Sequence, residues 1–250
     1  MAETKLDNRS GAGAAFAGNL LLSTFVKEDR GLVEPFGELV TLEPGQVALK
    51  RGEQARFSLF PVGPTVIAMC TQLGDGRSVE VASVGREGAL GGIVSCGQAP
   101  AFSRAVVLIG GEAWRVPMAA LEEAKRSSRF INNIFCRYSD YLLSQVMQSA
   151  ACNSFHSITQ RAARWLLHAQ DRAGDRLELT QEALASLLGV QRTTLNAVIQ
   201  SLQHDGVIAT SRGVVRVINR DELERRACEC YQRLQDHFAA VIGPGGTGGG

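Results

Sequence analysis

TQEALASLLGVQRTTLNAVIQSL, residues Thr180 to Leu202, decides how this chain is read. Thr180 is a residue type that caps a helix through its hydroxyl, and Leu184, Leu187 and Leu188 then share one face of a short helix. Ala185 is small where a second helix must cross closely. Gly189 can carry the backbone through a sharp turn, and Val190 returns it to a shared core. A second helix follows, with Leu195, Val198, Ile199 and Leu202 inward and Gln191, Arg192, Thr193, Thr194 and Asn196 outward over its first turns. Any two helices joined by a glycine turn share part of this pattern. Packing, however, needs no such group of hydrogen-bonding side chains, whereas reading base edges in a major groove does. With Thr180 and Gln181 at the start of the first helix, these residues form the expected DNA-contacting set.

Downstream, Gly206 to Thr210, Ser211-Arg212-Gly213 and Val214 to Ile218 read as strand, tight turn and strand, a wing beside the helix pair. Arg212 at its tip and Arg216 on a strand face are placed to meet phosphates, which give affinity and orientation without sequence information. From His156 to Arg220 the chain carries eight arginines against five acids, a basic segment within a near-neutral total of 26 Lys plus Arg and 25 Asp plus Glu. That balance is compatible with a polyanionic partner. Upstream, from Glu38 to Val116, short apolar runs alternate with Gly- and Pro-rich turns about every ten residues, which indicates an all-β unit closed as a barrel or jelly roll. Asp75-Gly76, between Val66 to Leu73 and Ser78 to Val84, predicts a tight hairpin.

Between the two units, the polar positions from Arg129 to Gln148 recur every three to four residues, which predicts one helix over Ser128 to Asn153, about 39 Å long. Its apolar circumference is too wide for one neighbour. Either its own β-unit and a second copy of the chain cover it, pairing through Ile131, Ile134, Tyr138, Tyr141 and Leu142, or it is buried inside one large monomer. Ser157 predicts a cap for a further helix to about Ala169. A last helix is expected from Asn219 or Asp221 to about Ala240.

With 250 residues and 45% apolar content the chain has room for two domains and is too apolar for disorder. No apolar run reaches the length of a membrane span, and the richest N-terminal stretch, Gly11 to Phe25, reads as a short surface helix rather than a secretory signal. A cytoplasmic location is expected. The six cysteines (Cys70, Cys96, Cys136, Cys152, Cys228 and Cys230) include no C-x-x-C pair, and reduced thiols are the default. Cys228-x-Cys230 suggests a thiol or metal sensor as an alternative. Residues two apart on a helix point about 200° from each other, however, and cannot chelate one ion unless the helix unwinds. A metal-dependent enzyme built on the β-unit would need a His/Glu cluster there, and that unit has no histidine. No catalytic residue, metal ligand or cofactor is assigned.

In this order, β-roll, long helix and winged helix-turn-helix, the chain resembles the Crp/Fnr superfamily of bacterial transcription regulators. LEPGQVALKRGE at Leu42 to Glu53, DGRSVEVASVGREG at Asp75 to Gly88 and LTQEALASLLGVQRTTLNAVIQSLQHDGVI at Leu179 to Ile208 carry the resemblance. It implies an α+β chain with an N-terminal double-stranded β-helix (jelly-roll) effector domain at 20–120 and a dimerisation helix at 121–155. A winged helix-turn-helix domain at 156–240 and a flexible glycine-rich tail at 241–250 complete it. It further implies a homodimer on a palindromic double-stranded DNA site, working with RNA polymerase and a small-molecule effector held near Gly88, Gly91, Ser103 and Arg104. Members that bind cyclic AMP place a glutamate just after a glycine, whereas Gly88-Ala89-Leu90-Gly91-Gly92 has no acid, so a different effector is expected. In the recognition helix Arg192 is kept, while Thr193 and Ala197 replace the usual Glu and second Arg, so the target sequence should differ too.

Overall fold

A computed structural model describes residues 13–93 and 99–243, and Cys96 lies outside them. Residues 13–18 are helical (α1), and α2 follows at Lys27–Val33. The expected surface helix is corrected here. Phe16, Leu21 and Leu22 are fully buried in one core with Phe60, Trp114 and Tyr138. Asn19 is buried with them and stays hydrogen-bonded, donating to the carbonyls of Pro61 and Gly88 at 3.0 and 2.8 Å.

Among the described residues, seven strands of the N-terminal half lie in two antiparallel sheets, β1 (Glu38–Leu42), β7 (Gly111–Pro117) and β3 (Phe57–Val62) in one, β2 (Val47–Leu49), β6 (Arg104–Ile109), β4 (Val66–Gln72) and β5 (Ser78–Val84) in the other. Leu42, Leu59, Ile67, Leu90, Ala105, Val107 and Ala113, drawn from both sheets and the segment after β5, form the core between them. Sheets of three and four strands make this a jelly-roll-like β-roll, for which "double-stranded β-helix" is a loose description. The expected β4–β5 hairpin is present, with Gln72 opposite Ser78 and the Leu73 N–H donating to the Arg77 carbonyl at 2.8 Å.

After α3 (Met118–Ser127) comes the long helix, α4 (Arg129–Phe155). Ser128 divides them. Its hydroxyl accepts from the Ile131 N–H at 3.2 Å and donates to Asp29 at 2.6 Å. The five residues expected to pair with a second copy, Ile131, Ile134, Tyr138, Tyr141 and Leu142, are all buried in the chain's own core with Phe16, Phe60 and Val84. The large apolar side chains of α4 left in solvent are Leu143, Val146, Met147 and Phe155.

A capping box between Ser157 and Gln160 starts α5 (Ile158–Ala173). This helix outruns its expected end at Ala169 because Arg172 in its last turn is anchored on the β-roll. Its guanidinium meets Glu87 at 2.6 Å and donates to the Ser83 hydroxyl at 2.7 Å. Trp165 Nε1 donates to Glu80 at 2.9 Å along the same seam. Beneath these contacts Val66, Ala68 and Ile109 of the roll share one core with Leu166, Leu184, Leu195 and Leu202. The C-terminal unit is therefore docked on the four-stranded sheet.

The last two helices among the described residues are α8 (Arg220–Arg226) and α9 (Cys230–Val241). The single continuous helix expected here is corrected, since Ala227 is extended (φ −73°, ψ 158°) and residues 227–229 leave the helix. The expectation of a tail from residue 241 is corrected at its start, since Val241 ends α9 and Ile242 is buried. Residues 244–250 lie outside those described. No helix among the described residues is long and apolar enough to cross a membrane.

Candidate nucleic-acid interface

Thr180 Oγ1 accepts from the Ala183 N–H at 3.1 Å and starts α6 (Gln181–Leu188), a cap worth about 1 kcal/mol. Gly189 ends α6 in the left-handed region at φ +66°, where a residue with a Cβ is strained. The Val190 N–H then returns to the Ala185 carbonyl at 3.0 Å, and α7 (Arg192–His204) begins. Leu195, Ile199 and Leu202 are fully buried, and Ala185 lets the helices cross.

The opposite face of α7 is wet. Gln191, Arg192, Thr193 and Thr194 are exposed, followed by Ala197, Gln200 and Ser201 on later turns. The side chain of Gln191 takes no part in capping α7. At this end the first N–H groups of the helix and its dipole favour an anion such as a phosphate. The remaining expected contacts are presented less openly. Asn196 is half-buried, with its Oδ1 lacking a partner, Gln181 is half-buried, and the Thr180 hydroxyl is engaged in its cap.

Strands β9 (Ile208–Ser211) and β10 (Val214–Val217) form the wing with Ser211 opposite Val214, and β8 (Arg176–Leu177) adds a third strand along β10. The turn places Arg212 at the tip, while Arg216 points outward from β10. Arg192, Arg212 and Arg216 are all exposed, and none has an ion-pair partner among the described residues.

The basic excess of this segment is not one phosphate-binding surface. Arg161 and Arg164 are buried in α5, Arg172 is locked to Glu87, and Arg220 is held by Asp171 at 2.9 Å and Glu224 at 2.8 Å. Burial opposes the charge on Arg172, yet the adjacent Glu87 carboxylate outweighs it and holds the guanidinium above its ordinary range. The arginines of this segment that stay exposed are the three on the helix start and the wing, together with Arg176, which pairs with Glu178 at 3.4 Å.

In the β-roll a cavity of about 730 Å³ opens between the sheets, lined by Leu42, Leu49, Glu53, Gln54, Gly91 and Arg115 among others. Of the residues expected to hold an effector only Gly91 reaches it. Ser103 and Arg104 are not among its described lining, and Gly88 has another task. A Cβ on Gly88 would collide with the Tyr138 hydroxyl, so glycine there lets α4 approach the roll. Tyr138 then donates to the Ala89 carbonyl at 3.2 Å.

Sequence reasoning finds only half of a second constellation, the Cys228-x-Cys230 pair, and misses its partners. The helix break at 227–229 turns Cys228 and Cys230 to the same side, where they meet Cys152 and His156 from the end of α4. The i, i+4 spacing of Cys152 and His156 is the available signal, since it puts both on one helical face.

Residues 160–226 match the family model for the Crp-like helix-turn-helix domain. Among solved structures the chain is similar to FixK2 from Bradyrhizobium japonicum, with a TM-score of 0.65 at 15% identity over 77% of this chain and 98% of that one. It is also similar to TTHB099, a CRP-family transcriptional regulator from Thermus thermophilus, with a TM-score of 0.62 at 19% identity over 75% of this chain and 96% of that one. A third is CLP of Xanthomonas campestris, described as a c-di-GMP-responsive global regulator, with a TM-score of 0.58 at 16% identity over 76% and 97%. At these identities the likeness is one of fold. Among curated proteins no relative matches by sequence.

Proposed function

We propose that this chain, whose residues 160–226 match the Crp-like helix-turn-helix domain and whose fold is similar to those of FixK2 and TTHB099, is a DNA-binding transcription regulator of the Crp/Fnr type. The observation that carries the reading is the exposed start of α7, where Gln191, Arg192, Thr193 and Thr194 stand clear of the core beside a wing with unpaired Arg212 and Arg216. The helix enters the major groove, its first turn contacts bases, and the wing contacts the backbone.

The regulator works as a homodimer on a palindromic site, with two α7 helices in successive major grooves on one face of the duplex. The partner covers the solvent-facing apolar side of α4 at Leu143, Val146 and Met147, since the other apolar side is already filled by the chain's own core. Promoters bound in this way would be controlled through contact with, or obstruction of, RNA polymerase. The effector is a small molecule other than cyclic AMP, taken into the cavity beside Gly91, because residues 89–92 supply no carboxylate for a ribose hydroxyl. Control through the cysteines is the second reading, favoured by the convergence of Cys228 and Cys230 with two further ligand-type side chains.

Selection of binding sequences from a random duplex pool tests the proposal. It predicts an inverted repeat whose half-sites lie about 10 bp apart, centre to centre. A pool that enriches no sequence, or only single half-sites, refutes it.

A further inference from the structure

Cys152, His156, Cys228 and Cys230 converge at the junction of the long helix and the last two helices, and each offers one donor atom within 4.8 Å of the others. Cys152 Sγ lies 3.6 Å from Cys228 Sγ, and Cys230 Sγ lies 3.4 Å from His156 Nδ1. Tetrahedral zinc, with Zn–S of about 2.3 Å and Zn–N of about 2.0 Å, sets S···S edges near 3.8 Å and S···N edges near 3.5 Å. The geometry points to a binding site for one thiophilic divalent cation of the zinc class, held by Cys152, His156, Cys228 and Cys230.

The surroundings are those of a metal centre rather than of core thiols. The three buried sulfurs form a cluster of their own instead of filling space among aliphatic side chains. His156 Nε2 faces Glu229 Oε2 at 3.3 Å, so the carboxylate orients the ring and leaves Nδ1 aimed at the cluster. Gln148 Nε2 donates to Cys230 Sγ at 2.9 Å, as outer groups do for ligating thiolates. Three thiolates and a divalent ion leave one negative charge, and the buried guanidiniums of Arg161 and Arg164 supply the opposing field at Cys152. Sulfur and imidazole donors select against magnesium and calcium, which take oxygen. Four protein ligands leave no open position, which is the pattern of a structural or sensing site rather than a catalytic one.

Bound there, the ion ties the end of α4 to the break between α8 and α9. From the same place Arg161 donates to the carbonyl of Leu188, the last residue of α6 before the Gly189 turn. The site therefore fixes the angle between the long helix and the DNA-reading helices, a regulatory role that rests on the function proposed above.

The test uses the full chain purified under reducing conditions. Elemental analysis is expected to give one zinc per chain, and replacement by Co²⁺ to give the absorption of a tetrahedral thiolate complex. Cys230→Ser and His156→Ala should each lose the ion, while Cys136→Ser, on the exposed side of α4, should keep it. Glu229→Gln should bind zinc about 10–100-fold more weakly with its fold intact by circular dichroism. Absence of stoichiometric metal, an unchanged content in both ligand variants, or a Cys152–Cys228 disulfide in its place overturns the site. Removing the ion with a chelator should weaken binding to the selected duplex, and a bound ion whose removal leaves DNA affinity unchanged overturns the regulatory role. Loaded protein that binds no DNA counts against the proposed function and leaves the metal site standing.

Discussion

Arg172 holds the helix-turn-helix unit on the β-roll, and its removal should be among the most damaging single changes in the chain. Its guanidinium and the Glu87 carboxylate are 8% and 12% exposed and 2.6 Å apart, with Ser83 completing the contact through its hydroxyl and its carbonyl. Arg172→Met keeps most of the apolar stem but strands Glu87 as a buried, unpaired charge, which typically costs about 3–5 kcal/mol. For a chain of this length about 2–4 °C is lost per kcal/mol, so the Tm should fall by roughly 6–20 °C. Combining Arg172→Met with Glu87→Gln removes the stranded charge and should recover most of the loss, because an ion pair exchanged for uncharged groups of similar volume is often close to neutral. Thermal unfolding of the two single variants and the double variant, followed by circular dichroism, gives the coupling directly. A fall of less than about 2 °C for Arg172→Met, or a double variant as unstable as the two singles added together, refutes the reasoning.

Burial, reinforced by the nearby Arg172 and Arg164, pushes the pKa of His168 well below its ordinary value, and its Nε2 has no partner. A group depressed in this way contributes stability above its unfolded pKa that is lost as the pH falls, so the Tm should drop on acidification below about pH 6.5, and His168→Gln should flatten that dependence. An unchanged slope in the variant contradicts this assignment. Met147→Glu with Leu143→Glu on the open face of α4 should yield folded monomers by sedimentation, whereas Ile134→Glu, in the core, should unfold the chain. Folded dimers from the double variant would move the interface elsewhere. Gly189→Val places a β-branched residue at φ +66° with Val79 3.4 Å from its Cβ, and should cost at least about 1–2 kcal/mol by urea unfolding. A neutral result would mean that the turn is not held as described.

The architecture is legible in the sequence because its signals are periodic or punctuated. Thr180, Gly189 and the leucines around them mark the helix pair, and the turn residues from Pro44 to Gly111 mark the strands. Periodicity also finds α4, but it counts apolar positions without saying which neighbour each meets. It therefore offers Ile131 to Leu142 to a second copy, although the chain's own roll fills that side. Charge counting has the same weakness, since Arg161, Arg164 and Arg172 contribute to the basic excess but are turned inward. The cysteine site is hidden for a different reason. The break after Arg226 has neither glycine nor proline, and Ala227 adopts its extended conformation because the long-range packing of α8 and α9 requires it, not because its sequence announces it. A continuous helix is the natural local reading, and it separates the two sulfurs that the fold brings together.

The central claim is that the start of α7 reads base edges while the wing only grips the backbone, and one binding experiment compares the two. Arg192→Ala and Arg212→Ala are each carried through selected-sequence binding beside the parent protein, at several salt concentrations. Loss of a bidentate guanidinium–guanine pairing should cost Arg192→Ala about 1–3 kcal/mol per half-site and relax the preference at one base position. Arg212→Ala should weaken all sequences alike and lower the salt slope by about one for each phosphate left without its arginine, with the consensus intact. If Arg192→Ala keeps full affinity and an unchanged consensus, α7 does not dock as described.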